Sequence, residues 1–363
     1  MEAQEILQNT VFVVLYGGVI MLNMVAALYL LFRRGNAIAP EVTSPVPLRR
    51  WAAAFMIASA LSHLFWLFYA SHPTPAAYVI VCGLDQFMFF PTIAGILVSM
   101  MQDRHRTVWP VLVLQIPSLV LMSLCLIRGD EDLYTPVSIY IFALYAVLML
   151  NTFLAVRHYR RWLRDNYADL ENKEIWLSLL ILAVFLLFFI MYSATEGNRV
   201  LLFLLQIDNI VIVGLLLWRV ETLQQLSECA PQEEESAEEV QKASAPPAIP
   251  PGIGHLLKKH CEDGQLYLQH DLTLAQLAQI IGTNRYYLSQ HFAQQGITYN
   301  AYINGLRVRH FIRLYREAVA DQRIFTAQQL AFESGFHSYS TFGATFKRNI
   351  GMTVTQWMRS AAE

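Results

Sequence analysis

Residues 331–357 read AFESGFHSYSTFGATFKRNIGMTVTQW. Together with Thr326 just before it, this stretch spells two short helices joined by a turn. Thr326 caps a helix that carries Leu330 and Ala331, Gly335 makes the turn, and Ser338 caps a second helix with Phe342 and Phe346 inward. Lys347 and Arg348 fall in its last turn, and a final short helix runs from Thr353 to near Arg359. The same grammar appears upstream in residues 273–311, TLAQLAQIIGTNRYYLSQHFAQQGITYNAYINGLRVRHF. Thr273 caps a helix whose Leu274, Leu277, Ala278 and Ile281 share one face, Gly282-Thr283-Asn284 turns the chain, and a helix over 285–294 points Leu288 and Phe292 inward. Between the two pairs, 299–320 predicts one long helix with Ile303, Leu306, Phe311 and Leu314 on its apolar side. Two helix-turn-helix units bridged by one helix are therefore expected in 255–363.

This segment resembles the DNA-binding domain of the AraC/XylS family of bacterial transcription regulators. The strongest part is A-x-x-x-G-F at Ala331 to Phe336, followed by F-x-x-x-F-K-x-x-x-G at Phe342 to Gly351. The resemblance is confined to 255–363, under a third of the 363 residues. It implies an all-helical domain that places a recognition helix from each unit in the major groove of double-stranded DNA. It assigns base-reading positions to Tyr286, Ser289 and Gln290 in the first unit, with Arg285 reaching guanine or phosphate, and to Tyr339, Ser340 and Ala344 in the second. Lys347 and Arg348 would hold the phosphate backbone. The sequence departs from the family where Val354 replaces a usual proline, where His310 replaces a common small residue, and where Gly343 and Ala344 replace a polar or basic pair. The last change removes reach to the bases, so the second unit is expected mostly to position the domain on the backbone.

The composition outside this domain is of another kind. Apolar residues make up 55% of the chain and charged residues only 15%, against roughly 25% charged in soluble domains. Seven apolar runs, at 10–32, 51–70, 77–101, 108–127, 136–156, 175–193 and 200–218, are each long enough to cross ~30 Å of hydrocarbon as a helix. Cations mark alternate loops: Arg33, Arg34, Arg49 and Arg50 in the first, Arg104 and Arg106 in the third, five between Arg157 and Lys173 in the fifth, and Arg219 after the last run. The other loops hold only Arg128, against three acids, and Arg199. The positive-inside rule then places the N-terminus outside and the C-terminus in the cytoplasm of the inner membrane, on the side where DNA lies. From His255 onward eleven Lys/Arg face seven Asp/Glu, so the C-terminal domain is net positive although the whole chain is −2.

The expected organisation is all-α: a seven-helix transmembrane sensor domain over 1–219, an acidic then Pro-rich linker over 220–254, and the DNA-binding domain over 255–363. Ionisable groups inside spans are costly and point to function. His63, Asp85 and Asp208 each lie about 10–15 Å below the outer surface at 1.5 Å per residue, with Glu196 above them. They suggest a polar pocket for a small-molecule or peptide signal. Asn23, Gln86, Gln206 and Asn209 add polar groups, and interhelical hydrogen bonding that merely holds the bundle is the alternative. Pro91 and Pro117 are expected to kink the third and fourth spans. Cys82 and Cys125 both lie towards the outer side, where either pairing or plain packing fits. No span contains lysine, which excludes a retinal Schiff base, and no C-x-x-C, phosphate loop or nucleophile–histidine–acid set is present. The expectation is a regulator without enzymatic activity or cofactor, its partners being double-stranded DNA, the lipid bilayer, an unidentified signal and a second copy in a homodimer. A transporter-like or purely anchoring membrane domain is the alternative for the N-terminal half, and proteolytic release a further route for the C-terminal one.

Overall fold

The computed structural model describes residues 9–33, 35–104, 106–129, 134–170, 173, 180–181, 183–184, 186–187, 190–191, 199–226 and 252–362. Among them every regular element is helical, as the all-α expectation requires, apart from one isolated antiparallel bridge between Tyr167 and Thr273. The chain divides into two compact units. One comprises Met1–Tyr159 and Ile175–Leu226, the other Arg160–Glu174 and Ser227–Glu363. The second unit thus includes a segment that the reading of the sequence left in a loop of the N-terminal half.

In the first unit the described helices are α1 (Thr10–Phe32), α2 (Val46–Ser71), α3 (Pro75–Met100), α4 (Trp109–Leu114), α5 (Ile116–Arg128), α6 (Tyr134–Asn166) and α7 (Arg199–Thr222). Six segments are long and apolar enough to cross a membrane: α1, α2, α3, the α4–α5 pair, α6 and α7. The seventh expected run, 175–193, falls mostly outside the described residues. Local chemistry fixes the starts. Asn9 Oδ1 accepts from Val11 N (3.0 Å) and Phe12 N (3.2 Å), and Thr74 Oγ1 accepts from Ala77 N (3.1 Å) ahead of Pro75. Pro91 lies inside α3 without ending it. Pro117 has the larger effect: the fourth segment breaks at Gln115, two residues before it, because proline offers no N–H to the helical ladder. The side-chain amide of Gln115 instead donates to Gln86 O at 2.8 Å.

The helices of this unit are apolar on both faces. On α1 the buried stripe is Phe12, Val19, Asn23, Ala26, Ala27 and Leu30, yet Val11, Val14, Met21, Val25 and Phe32 on its other side are exposed. In α2 and α3 close approach comes from small residues. Ala52, Ala53, Ser59 and Ala60 are buried, and a Cβ added at Gly95 would fall inside contact distance of the Trp51 ring. Cys82 and Cys125 belong to an apolar cluster with Val79, Met122 and Val137. Beyond α7, Leu223 and Leu226 stay buried, with Gln225 N bonded to Thr43 O (2.6 Å) and Leu226 N to Gln102 Oε1 (2.8 Å). The expected linker from 220 is thus packed as far as Leu226, and its remainder to 251 lies outside the described residues.

In the second unit Ile253–Leu256 starts a helical turn (α8) that widens into a π-helical stretch over Leu257–Asp263. There follow α9 (Leu274–Ile280), α10 (Arg285–Gln294), α11 (Tyr299–Ala320), α12 (Ala327–Glu333), α13 (Tyr339–Ile350) and α14 (Val354–Ala362). The caps are those the sequence spells. Thr273 and Gln276 form a reciprocal capping box, and Asn284, Thr298, Thr326 and Ser338 cap the helices after them. α9–α10 and α12–α13 are two helix pairs, and α11 belongs to both cores. Its Tyr299, Ile303 and Leu306 pack with Leu277, Leu288 and Phe292, while its Val308, Phe311 and Tyr315 pack with Leu330, Phe336, Phe342 and Phe346. Gly335 (φ +89°) cannot carry a side chain, because a Cβ there would sit 2.8 Å from Leu268 Cα.

His310, which stands where the family usually has a small residue, is buried. Its Nδ1 lies 2.8 Å from Tyr267 Oη and 3.0 Å from Arg313 Nη2. A guanidinium can only donate, so Nδ1 accepts and the ring is neutral, with its proton on Nε2. Burial first, then the Arg313 charge, hold this imidazole below its ordinary value, against the opposing carboxylates of Glu317 and Glu333.

Two outcomes are expected from this packing. Gly95→Ala drives a methyl into Trp51 and should lower the stability of the first unit by about 1–3 kcal/mol, read as a lower thermal midpoint of the detergent-solubilised protein. Near the ordinary imidazole value of ~6.5 the folded second unit binds fewer protons than the unfolded chain. Its stability therefore falls as pH drops through that value, until His310 titrates in the folded state as well. His310→Gln should flatten this acid sensitivity, measured as resistance of the second unit to limited proteolysis at pH 7.5 and 5.5.

Candidate nucleic-acid interface

α10 and α13 are the second helices of their pairs and carry the residues expected to meet DNA. Arg285 opens α10, placed by the Asn284 cap, whose Oδ1 accepts from Tyr287 N at 2.9 Å. Leu288 and Phe292 anchor the helix inward, which turns Tyr286, Ser289 and Gln290 to the partly exposed side. Gln290 Nε2 donates to Tyr286 Oη at 2.6 Å, one turn apart, so these two side chains already form one polar surface. Arg285 Nε donates to Asn166 Oδ1 at 2.8 Å. Nothing in the sequence of 255–363 announces this partner, which lies more than a hundred residues upstream.

On α13, Ser338 Oγ caps Thr341 N at 3.3 Å and sits 3.2 Å from Ser340 Oγ. Phe342 and Phe346 are fully buried, so Tyr339, Ser340 and Ala344 fall on the exposed side, with Lys347 and Arg348 in the exposed last turn. The Tyr339 ring keeps one contact with the core, 5.8 Å from Phe342 between centroids. Space beside Gly343 and Ala344 is open, for an added Cβ at Gly343 meets nothing within 4 Å. The surface of α13 is accessible, but its middle is bare of groups that can hydrogen-bond.

The arginine that matters most to the domain's shape is one the sequence reading passed over. Arg307 is 1% exposed. Its Nε donates to Tyr267 O (2.7 Å), its Nη2 to Gln269 O (2.8 Å), and its guanidinium lies 5.8 Å from the Phe336 ring centroid. The signal was there: 303, 307 and 311 are spaced by four and put Arg307 on the inward stripe of α11.

In the first unit most of the polar residues predicted within the spans take part in hydrogen bonds between helices. His63 bonds through Nδ1 to Ser59 O (2.7 Å) and through Nε2 to Gln206 Oε1 (3.0 Å), while Tyr16 Oη donates to His63 O (2.6 Å). Trp66 Nε1 donates to Asp85 Oδ2 (2.7 Å). Asn23 Nδ2 donates to Asn209 Oδ1 (2.7 Å), and Asn209 Nδ2 to Ser59 Oγ (2.8 Å). α1, α2 and α7 are thus stitched together through polar contacts, and α2 and α3 through Trp66 and Asp85. Asp208 is buried, and its Oδ2 has no hydrogen-bond partner among the described residues. No bond joins it to His63 or Asp85, and Glu196 lies outside the described residues.

Comparison with known families gives one match: residues 277–360 fit a helix-turn-helix domain of AraC type. No curated protein and no solved structure matches the chain. The match covers α10 to α13 and the α11 bridge, the same elements that carry Arg285, Gln290, Lys347 and Arg348. The match supports reading 277–360 as a helix-turn-helix domain of AraC type, the DNA-binding part of the chain.

Proposed function

We propose that this protein is a membrane-embedded, sequence-specific transcription regulator that couples a signal received by its N-terminal half to DNA binding by its C-terminal half. The observation that carries the reading is the presence, in one chain, of the helix-turn-helix match at 277–360 and six helices long and apolar enough to cross a membrane. The outward apolar faces of those helices fit lipid rather than water. The loop cations orient the bundle with its C-terminus in the cytoplasm, and a seventh span at 175–193 makes the count agree with that orientation.

In this reading both helix pairs act as helix-turn-helix units. The first reads bases: Gln290 can pair bidentately with adenine, Tyr286 and Ser289 flank it, and Arg285 reaches guanine or phosphate. The second positions the domain through Lys347, Arg348 and the exposed start of α13 at Tyr339 and Ser340. A dimer, with two domains side by side, suits a repeated site. The polar groups around His63, Asp85 and Asp208 form the receiving site for a small molecule or peptide end, and the protein performs no chemistry of its own.

The test is selection of fragments of the source genome by the full-length protein in lipid nanodiscs, repeated across salt concentrations. A defined site that survives physiological salt supports the regulator. Sequence-blind binding that vanishes steeply with salt overturns it. Ala344→Arg adds a cation to the open face of α13; it should tighten binding to all sequences and steepen the salt dependence by about one unit of slope. Asp85→Asn together with Asp208→Asn should silence the response of the regulated promoter while the protein stays in the membrane fraction, and an unchanged response removes these carboxylates from signal reception.

A further inference from the structure

The segment Arg160–Glu174 belongs to the same compact unit as the helix-turn-helix domain. It begins in the last turns of α6, the fifth apolar segment, and is covalently continuous with it. Its contacts run along the first helix pair and the start of α11. Ala168, 1% exposed, is part of the core built by Leu274, Leu277 and Leu288. Its carbonyl accepts from Asn300 Nδ2 at 2.6 Å and Asn304 Nδ2 at 2.9 Å, two side chains one turn apart on α11. Its N–H points to Leu272 O at 3.4 Å, next to the bridge between Tyr167 and Thr273. Lys173, with only 4% of its side chain exposed, donates to Asp271 Oδ1 at 2.7 Å. At the near end Asn166 Oδ1 accepts from Arg285 Nε.

We infer that Arg160–Glu174 is an internal clamp on the first helix-turn-helix unit, restraining DNA binding until the membrane half moves it. This deepens, and rests on, the regulator reading. The chemistry at Arg285 carries the argument. Its Nε donates to the Asn166 amide oxygen, whereas a phosphate or guanine edge presents a charge-assisted or bidentate acceptor in a different place. Binding DNA through Arg285 must therefore break the bond to Asn166. The remaining contacts give the segment a built seat: two converging amides on one carbonyl, a buried lysine with a specific carboxylate, and an alanine in the core. Desolvation works against the Asp271 carboxylate, but the hydrogen bond and charge of Lys173 more than offset it and hold its pKa below the ordinary value. The pair therefore persists at neutral pH and is lost only as pH falls through that depressed value.

The sequence position supplies the route for a signal. A shift of the fifth apolar segment displaces Asn166 through an unbroken helix. No message has to pass along residues 227–251. Clamp and DNA compete for Arg285, so a signal that favours the displaced segment favours DNA by the same factor.

Four full-length proteins in nanodiscs test this: wild type, Asn166→Ala, Lys173→Glu, and the swap Lys173→Glu with Asp271→Lys. The readouts are affinity for the genomic site selected by any of them and hydrogen exchange of the Ala168 amide. Asn166→Ala and Lys173→Glu should each tighten DNA binding about five- to tenfold. For Lys173→Glu this runs against the loss of positive charge, which alone weakens attraction to DNA. Exchange at Ala168 should rise in Lys173→Glu, and the swap, which keeps the net charge of wild type, should restore both readouts. A site bound equally well, or less well, by the two single variants overturns the clamp and leaves the regulator standing. Failure of all four to select any site overturns both.

Discussion

A guanidinium buried between two apolar cores sets the geometry of the C-terminal unit. Arg307 stands at the midpoint of α11, where the core built with α9 and α10 gives way to the one built with α12 and α13. It is satisfied by the carbonyls of Tyr267 and Gln269, which terminate the turn of 3-10 helix at Leu266–Leu268. The backbone of that same turn abuts Gly335 in the second helix pair. A hydrogen bond from a charged donor contributes about 1.5–3 kcal/mol, and here two of them tie one turn to one helix at the junction. The spacing of α10 and α13, and so the separation of any two grooves they enter, depends on that junction.

Much of this unit was legible because its signals are local. Thr273, Thr326 and Ser338 cap the helices they were expected to cap, and Asn284 and Thr298 do the same for the two helices between, each through its own side-chain oxygen. Leu288, Phe292, Phe342 and Phe346 point inward because their spacing admits no other face. What was not legible depends on partners distant in sequence. Asn300 and Asn304 look like polar residues on a solvated helix, yet both are buried against the carbonyl of Ala168. Lys173 looks like one more loop cation of the positive-inside pattern, yet it is nearly sealed by Asp271. A charge count weighs loop residues equally and cannot tell an orienting cation from one with a private partner.

The N-terminal unit shows the same division. Apolar runs located the six long apolar segments found among the described residues, and the break at Gln115 ahead of Pro117 follows from the missing proline N–H. The polar residues within the runs were recognisable by their cost in an apolar setting, but their grouping was not. His63 lies with Gln206 and Tyr16, Asp85 with Trp66, and Asn23 with Asn209. Depth along a helix is readable from residue count, whereas azimuth depends on which helix packs alongside.

Glu221, at the end of α7, accepts from the backbone N–H groups of Ala37 (2.8 Å) and Ile38 (2.7 Å) and from the Tyr29 hydroxyl. Asn36, beside them, donates to Glu221 O at 3.0 Å. These groups belong to the first helix and the loop after it, and their acceptor is made 184 residues later in the case of Ala37. During synthesis at about 5–20 residues per second, the loop therefore waits some ten seconds or more until α7 is translated. This end of the bundle is fastened by the last turn of its own last described helix, α7. A chain truncated before residue 221 keeps the loop's internal bonds, such as Asn36 Nδ2 to Val42 O at 2.6 Å, but leaves the amides of Ala37 and Ile38 without the carboxylate that accepts from them.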